Sequence, residues 1–202
     1  MYLDFTMCNK LCTGFRRDVM DTMLRIARTQ GFTLIELLVT LTVLAILTGL
    51  ATPSFLGMVR DNRLVTQTNE LLGALHLARS EAVKRNRDVG VCKSSDGASC
   101  DNGASWEDGW IVWVDEDASG DHDAGEPVLR VAGELSAGNR IYPTADLADR
   151  LVYSNRGFAS AIGSWQFCDT RGAAHASNVV LNPSGRPKIS DKLHDGGAPA
   201  CL

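Results

Sequence analysis

The chain reads as an α+β fold: one long N-terminal helix packed on an antiparallel β-sheet head, a lollipop. Three observations predict it. Residues 32–52 form a run of 21 with a single charge, Glu36. Further on, Leu64, Leu71, Leu75, Ala78 and Ala82 recur at three-, four- and seven-residue spacing, an amphipathic stripe. Beyond residue 87 the apolar period falls to two, and Gly, Asp and Pro separate short runs. The expected parts are a leader at 1–31, a transmembrane helix segment at 32–55, an amphipathic helix at 56–87 and a β-rich head at 88–202.

Each part has a physical reason. As a helix, 21 residues at ~1.5 Å each reach about 32 Å, enough to cross the hydrocarbon core of a bilayer. Arg25 and Arg28 precede this run and no Lys or Arg follows until Arg60, so the leader side stays in the cytoplasm. A secretory signal would have a shorter apolar region and a small-x-small cleavage site, which Gly49-Leu50-Ala51 matches poorly. A plain signal anchor is the other competing reading. A leader that begins at Met1 is long, so Met20 or Met23 is the expected true start, leaving Cys8 and Cys12 outside the mature chain. Pro53 is expected to kink the helix. One helix is expected from about Thr33 to Asn86, with Arg63, Asn69, Glu70 and Lys84 largely off its apolar stripe and Glu81 paired with Arg85.

The strands follow in order at Asp88–Lys93, Trp110–Val114, Val128–Ala132, Arg140–Tyr142, Leu151–Ser154, Trp165–Cys168 and Val179–Leu181. Trp110-Ile111-Val112-Trp113-Val114 is apolar on both faces, which suits a central strand covered by the helix on one side. Trp106, Trp110 and Trp113 are read as core and rim rather than as a platform for stacked bases.

Gly31-Phe32-Thr33-Leu34-Ile35-Glu36, with the apolar run behind it, resembles a type III (prepilin-type) leader junction. The resemblance implies cleavage after Gly31 and methylation of the Phe32 amine by a prepilin peptidase/N-methyltransferase. A narrower resemblance rests on Pro53-Ser54-Phe55, on Glu70-Leu71-Leu72-Gly73-Ala74-Leu75-His76-Leu77-Ala78-Arg79-Ser80-Glu81-Ala82 and on Gly109-Trp110-Ile111-Val112-Trp113. These stretches are similar to the GspH/FimT family of minor pseudopilins, and tilt towards its FimT/FimU branch. That family is of type IV pilin-like fold. Membership implies a single-pass protein of the bacterial inner membrane with a periplasmic head, later incorporated at the tip of a type IV pilus or a type II secretion pseudopilus. There it would prime assembly for pilus biogenesis or protein secretion, contacting major and minor pilins or pseudopilins through the N-terminal helix. Glu36, costly in lipid or in a bundle of apolar helices, would pair with the Phe32 amine of a neighbouring subunit.

Four cysteines remain beyond the leader: Cys92, Cys100, Cys168 and Cys201. An oxidising compartment argues for two bridges, and three pairings are open. The turn-like Lys93–Ser99 favours Cys92–Cys100, which leaves Cys168–Cys201 to tie down the tail. Chain entropy assigns about 2.5 kcal/mol to the short loop and about 3.8 to the long one. Zinc is the rival, but no C-x-x-C pair is present.

No cofactor is required by this reading, but Asp115 to Glu126 fits the spacing of a calcium loop. Asp115, Asp117, Ser119 and Glu126 would supply oxygens, with Asp123 acting through water and Asp121 through its carbonyl. A solvated acidic hairpin tip is the plainer reading. Gly185-Arg186-Pro187-Lys188, with Lys192 and Arg171 nearby in sequence, is similar to a Gly-Arg-x-Arg feature of FimT-type proteins linked to DNA uptake. Here Lys188 replaces the second Arg and loses its planar fork, and a solvated turn is the alternative. Residues 32–202 carry 15 Lys+Arg against 21 Asp+Glu, which argues against wholesale coating of nucleic acid. No nucleophile-elbow, zinc-protease or phosphate-loop pattern occurs, and His76, His122, His175 and His194 are scattered, so no enzyme is expected.

Overall fold

Helix α1 runs Leu34–Arg85 in a computed structural model that describes residues 31–201. The readings placed on the leader, including Arg25, Arg28, the start at Met20 or Met23 and the exclusion of Cys8 and Cys12, lie outside the described residues. The chain divides into two units, one ending at Thr52 and the other Pro53–Leu202. Helix α1 carries through Pro53 as one element.

The first unit is described by its helix. Among the described residues α1 is the one helix long and apolar enough to cross a membrane. Its side chains from Leu34 to Leu47 are turned outward all round, with Leu37, Leu41 and Leu44 each more than half exposed. A helix that is apolar on every face has no stripe to bury on a soluble head and needs an apolar surrounding.

In the second unit α1 does have a stripe. Leu64, Leu71, Leu75, Ala78 and Ala82 are all buried, joined by Ala74, whereas Arg63, Asn69 and Lys84 face solvent. The Glu81 carboxylate takes the Arg85 Nε at 2.5 Å and the Lys84 Nζ at 3.2 Å, a surface pairing worth a few tenths of a kcal/mol. The helix ends where Asn86 turns left-handed (φ 53°) and the Arg87 N–H reaches back to the Ala82 carbonyl at 3.2 Å.

Eight strands follow. They are β1 (Asp88–Lys93), β2 (Trp110–Asp115), β3 (Val128–Ala132), β4 (Arg140–Pro143), β5 (Arg150–Tyr153), β6 (Gly163–Cys168), β7 (Ser177–Leu181) and β8 (Pro187–Ser190). The sequence reading finds seven of them and misses β8. At four residues with Pro187 at its head and only Ile189 strongly apolar, β8 lacks the alternation that marks a strand. The head also holds two four-stranded antiparallel sheets rather than one, ordered β3-β2-β1-β5 and β4-β6-β7-β8.

Their inner faces and the α1 stripe share one core. Val89, Val91, Trp110, Val112, Leu151 and Tyr153 come from the first sheet, and Ile141, Trp165, Phe167, Val179 and Leu181 from the second. Trp106 meets Trp165 edge to face at 5.5 Å between ring centroids and donates its indole N–H to the Leu147 and Ala148 carbonyls, both at 3.0 Å. All four tryptophans are buried, so none offers a stacking surface. Strand β2 is buried on both faces, as its sequence implies. Its outer face carries Ile111 and Trp113, which pack with Cys92 and Cys100.

Candidate functional site

Three places on the chain carry chemistry, and the first is the start of α1. The Thr33 hydroxyl accepts the Glu36 N–H at 3.2 Å and the Thr33 carbonyl accepts the Leu37 N–H at 3.1 Å, so Thr33 caps the helix. Glu36 then sits in the first turn, where the helix dipole favours an anion. The spacing Thr33-Leu34-Ile35-Glu36 is the sequence signal of such a start, and the sequence reading did not use it. Among the described residues Glu36 has no ion-pair partner, and Gly31 and Phe32 lie open beside it. The arrangement is a fixed carboxylate at one end of an exposed apolar rod.

The second place is the acidic loop after β2. Asp115, Asp117 and Glu126 bring carboxylate oxygens within 4.8 Å of one another and could hold a hard cation. The other expected ligands, Ser119, Asp121 and Asp123, make contacts of their own within and beside the loop. Asp121 forms an ion pair with Arg150 on β5, and its carbonyl and the Asp123 carboxylate both accept the Ser119 hydroxyl. Asp115 is buried and accepts the N–H groups of Ser119 (3.1 Å) and Gly120 (2.8 Å). Burial pushes its carboxyl above the usual range, while the Ser119 N–H holds Asp117 below it. The loop is not a free tip. The Asp121–Arg150 pair ties it to β5, and His122 lies edge-on to Trp113 at 5.8 Å.

Both favoured disulfides are present. Cys92 is joined to Cys100 with Cα atoms 5.7 Å apart, and Cys168 to Cys201 at 5.8 Å. Within the first loop the Asp96 carboxylate accepts the Ala98 and Ser99 N–H groups and the Ser99 hydroxyl, which holds it far below the usual range. The second bridge fastens the tail over β6, where Ser164 Oγ accepts the His194 N–H at 2.8 Å and Gln166 Oε1 accepts the Ala200 N–H at 2.8 Å. The Ser164–His194 contact anchors the tail over β6, with Ser164 fully buried beneath it.

The third place is basic. Arg186 sits on a turn whose Asn182 side chain accepts its N–H at 3.0 Å, but Lys188 belongs to β8, so the expected solvated turn covers only half of the motif. Arg171 is withdrawn from this region by Asp61 and Asp169, each 2.7 Å from its Nη2. In its place the fold brings up a second turn. Arg79 donates to the carbonyls of Gly157 (3.0 Å) and Ser184 (3.2 Å), pinning the Ser154–Phe158 turn beside the Asn182–Arg186 turn. Arg156, Phe158 and Arg186 are exposed on these two turns. No signal in the sequence joins residues 156 and 186, because their proximity is made by a helix residue far from both.

Comparison with known proteins agrees with this architecture. Residues 67–185 match the family described as Type II transport protein GspH, and residues 26–52 match the prokaryotic N-terminal methylation motif. The Pilin-like protein PilA1 of Thermus thermophilus is 34% identical over 168 residues, which cover 79% of this chain and 97% of that protein. Two crystal forms of the type IV minor pilin FimU of Pseudomonas aeruginosa superpose with TM-scores of 0.54 and 0.50 at 21% and 20% identity. They cover 72% and 68% of this chain, and 99% and 98% of theirs. At that identity the likeness is one of fold. The family match over more than half of the chain, the methylation motif and the pilin-like relative place the chain in the GspH family, among pilin-like structural proteins and pseudopilins rather than enzymes.

Proposed function

We propose that this chain is cleaved after Gly31, methylated on the Phe32 amine, and held in the bacterial inner membrane with its head in the periplasm. From there it enters the tip of a type IV pilus and primes its assembly. One observation supports this above the others: an apolar helix exposed on all sides with Glu36 as its one charge from Phe32 to Thr52. A lone carboxylate in lipid is costly and is relieved by a counter-ion. In a bundle of apolar helices, the freed Phe32 amine of the next subunit supplies that charge. The mass of the chain recovered from sheared filaments tests the reading. The expected N-terminus is methylated Phe32; a chain retaining residues 23–31 in cells with an active peptidase would end it. Loss of surface pili on deletion selects the pilus, and loss of protein export selects the type II secretion pseudopilus.

A second reading, DNA capture in uptake, is favoured by the two pinned turns. Arg156 and Arg186 can meet phosphates, and the exposed Phe158 ring can stack on an unpaired base. Fluorescence anisotropy with short labelled DNA checks it. Arg156→Ala with Arg186→Ala should weaken binding and lower the salt slope by roughly one for each phosphate that is no longer neutralised. Unchanged affinity in that double variant would remove this surface.

A further inference from the structure

Arg60, Asp61 and Arg63 are the first charges after Glu36, and all three are exposed on the part of α1 that belongs to the second unit. Asp61 is already spent. It accepts the Arg171 Nη2 at 2.7 Å, and Asp169 holds the same nitrogen from the other side of the pair at 2.7 Å. Among the described residues, neither Arg60 nor Arg63 has an ion-pair or hydrogen-bond partner. Three residues apart on a helix, they share one face with Cβ atoms roughly 5–6 Å apart. Like charges at that spacing repel unless an anion lies between them.

What flanks the two arginines differs on each side. Before them Phe55, Leu56 and Met58 are each more than half exposed, with Leu56 one turn from Arg60. After them comes a groove of about 280 Å³ between α1 and the loop that precedes β4, lined by Val59, Asn62, Arg63, Thr66, Gln67 and Ser136. Its floor is fixed, because the Gln67 amide donates to the Ser136 carbonyl at 3.2 Å and accepts the Asn139 amide at 2.7 Å. Apolar side chains, a pair of free cations and a preformed groove therefore follow one another along the helix.

We infer that this stretch binds a phospholipid of net negative charge while the chain resides in the membrane. The inference rests on the inner-membrane reading above and names a lipid partner for it. The acyl chains lie along Phe55, Leu56 and Met58, the phosphate bridges Arg60 and Arg63, and the headgroup enters the groove. Helix side chains slope towards the N-terminus, here the side of the apolar run, so both guanidiniums reach back towards the headgroup layer. Their planar forks match phosphate oxygens, and the anion relieves the repulsion between them. A choline headgroup would bring a third cation beside this pair, whereas a glycerol headgroup adds none, so the site discriminates by charge.

Native mass spectrometry tests this on the full-length chain in detergent micelles, offered equal amounts of phosphatidylglycerol and phosphatidylcholine. Adducts with the glycerol lipid are expected to exceed those with the choline lipid by roughly fivefold or more. Arg60→Gln with Arg63→Gln should bring the two lipids level without moving the thermal midpoint, since both side chains are exposed. Arg60→Lys with Arg63→Lys should keep part of the preference. Equal retention of the two lipids by the parent chain would overturn the proposal, as would a preference that survives the double glutamine variant. Inorganic phosphate in large excess should leave the adducts in place; displacement by it would mean a site for free anions and not for a lipid. Membrane insertion and maturation at Phe32 in a chain that shows no preference would sink the lipid site and leave the filament reading standing.

Discussion

Glu36→Leu is expected to leave cleavage after Gly31 unaffected and to reduce recovery of the chain in sheared filaments at least tenfold. The carboxylate lies in the first turn of α1, capped by Thr33, with apolar side chains exposed all round the helix behind it. Leucine there suits lipid better than glutamate does, so membrane insertion should not suffer. Removing the acid leaves the neighbour's amine buried without a counter-charge, a penalty of about 3–5 kcal/mol, and each ~1.4 kcal/mol is a factor of ten. Immunoblots of filament and membrane fractions read the result. Glu36→Asp, which keeps the charge on a shorter arm, should recover part of the incorporation. Normal incorporation of the leucine variant would exclude the pairing.

The second large effect is expected at Gly90. Gly90 on β1 faces Trp113 on β2 in register, and the six-membered ring of Trp113 lies where a Cβ of residue 90 would stand. The ring is rigid, fully buried and bordered by His122. Gly90→Val should therefore destabilise the head by about 3 kcal/mol, the upper part of the overpacking range. Its thermal midpoint should fall by roughly 6–12 °C. Calorimetry of the detergent-solubilised chain measures this. Adding Trp113→Leu opens the space and should return part of the stability. A Gly90→Val chain as stable as the parent would mean that the ring does not occupy this position.

Much of the fold is legible in the residues because it is local. The uncharged run, the stripe from Leu64 to Ala82 and the left-handed end at Asn86 each follow from periodicity or from one residue's backbone preference. Seven strands announce themselves through β-branched and aromatic runs between turns. The eighth does not, since an edge strand needs only one apolar face and β8 supplies little more than Ile189. The division into two sheets is equally hidden, because alternation reports that a strand has an inside and not which neighbours it pairs with.

The site divides along the same line. Gly31, Phe32 and Glu36 are contiguous, and the chemistry read from them needs no partner from elsewhere in the chain. The four cysteines are visible as residue types, and their pairing is fixed by where the strands bring them. The calcium spacing from Asp115 to Glu126 is a property of the sequence. The convergence of the Asp115, Asp117 and Glu126 carboxylates, and the pairing of the Asp121 side chain with Arg150, are tertiary. The basic surface is the clearest case. The sequence puts weight on Arg171, which Asp61 and Asp169 neutralise, and gives none to Arg156, which Arg79 brings beside Arg186.

What the sequence alone determined is the anchor, the processing junction and the amphipathic helix, because hydrophobic length and helical period act between residues close in the chain. Tertiary structure decided which charges are spent on internal pairs and which turns meet. Those depend on contacts between residues far apart in sequence, which no local pattern encodes.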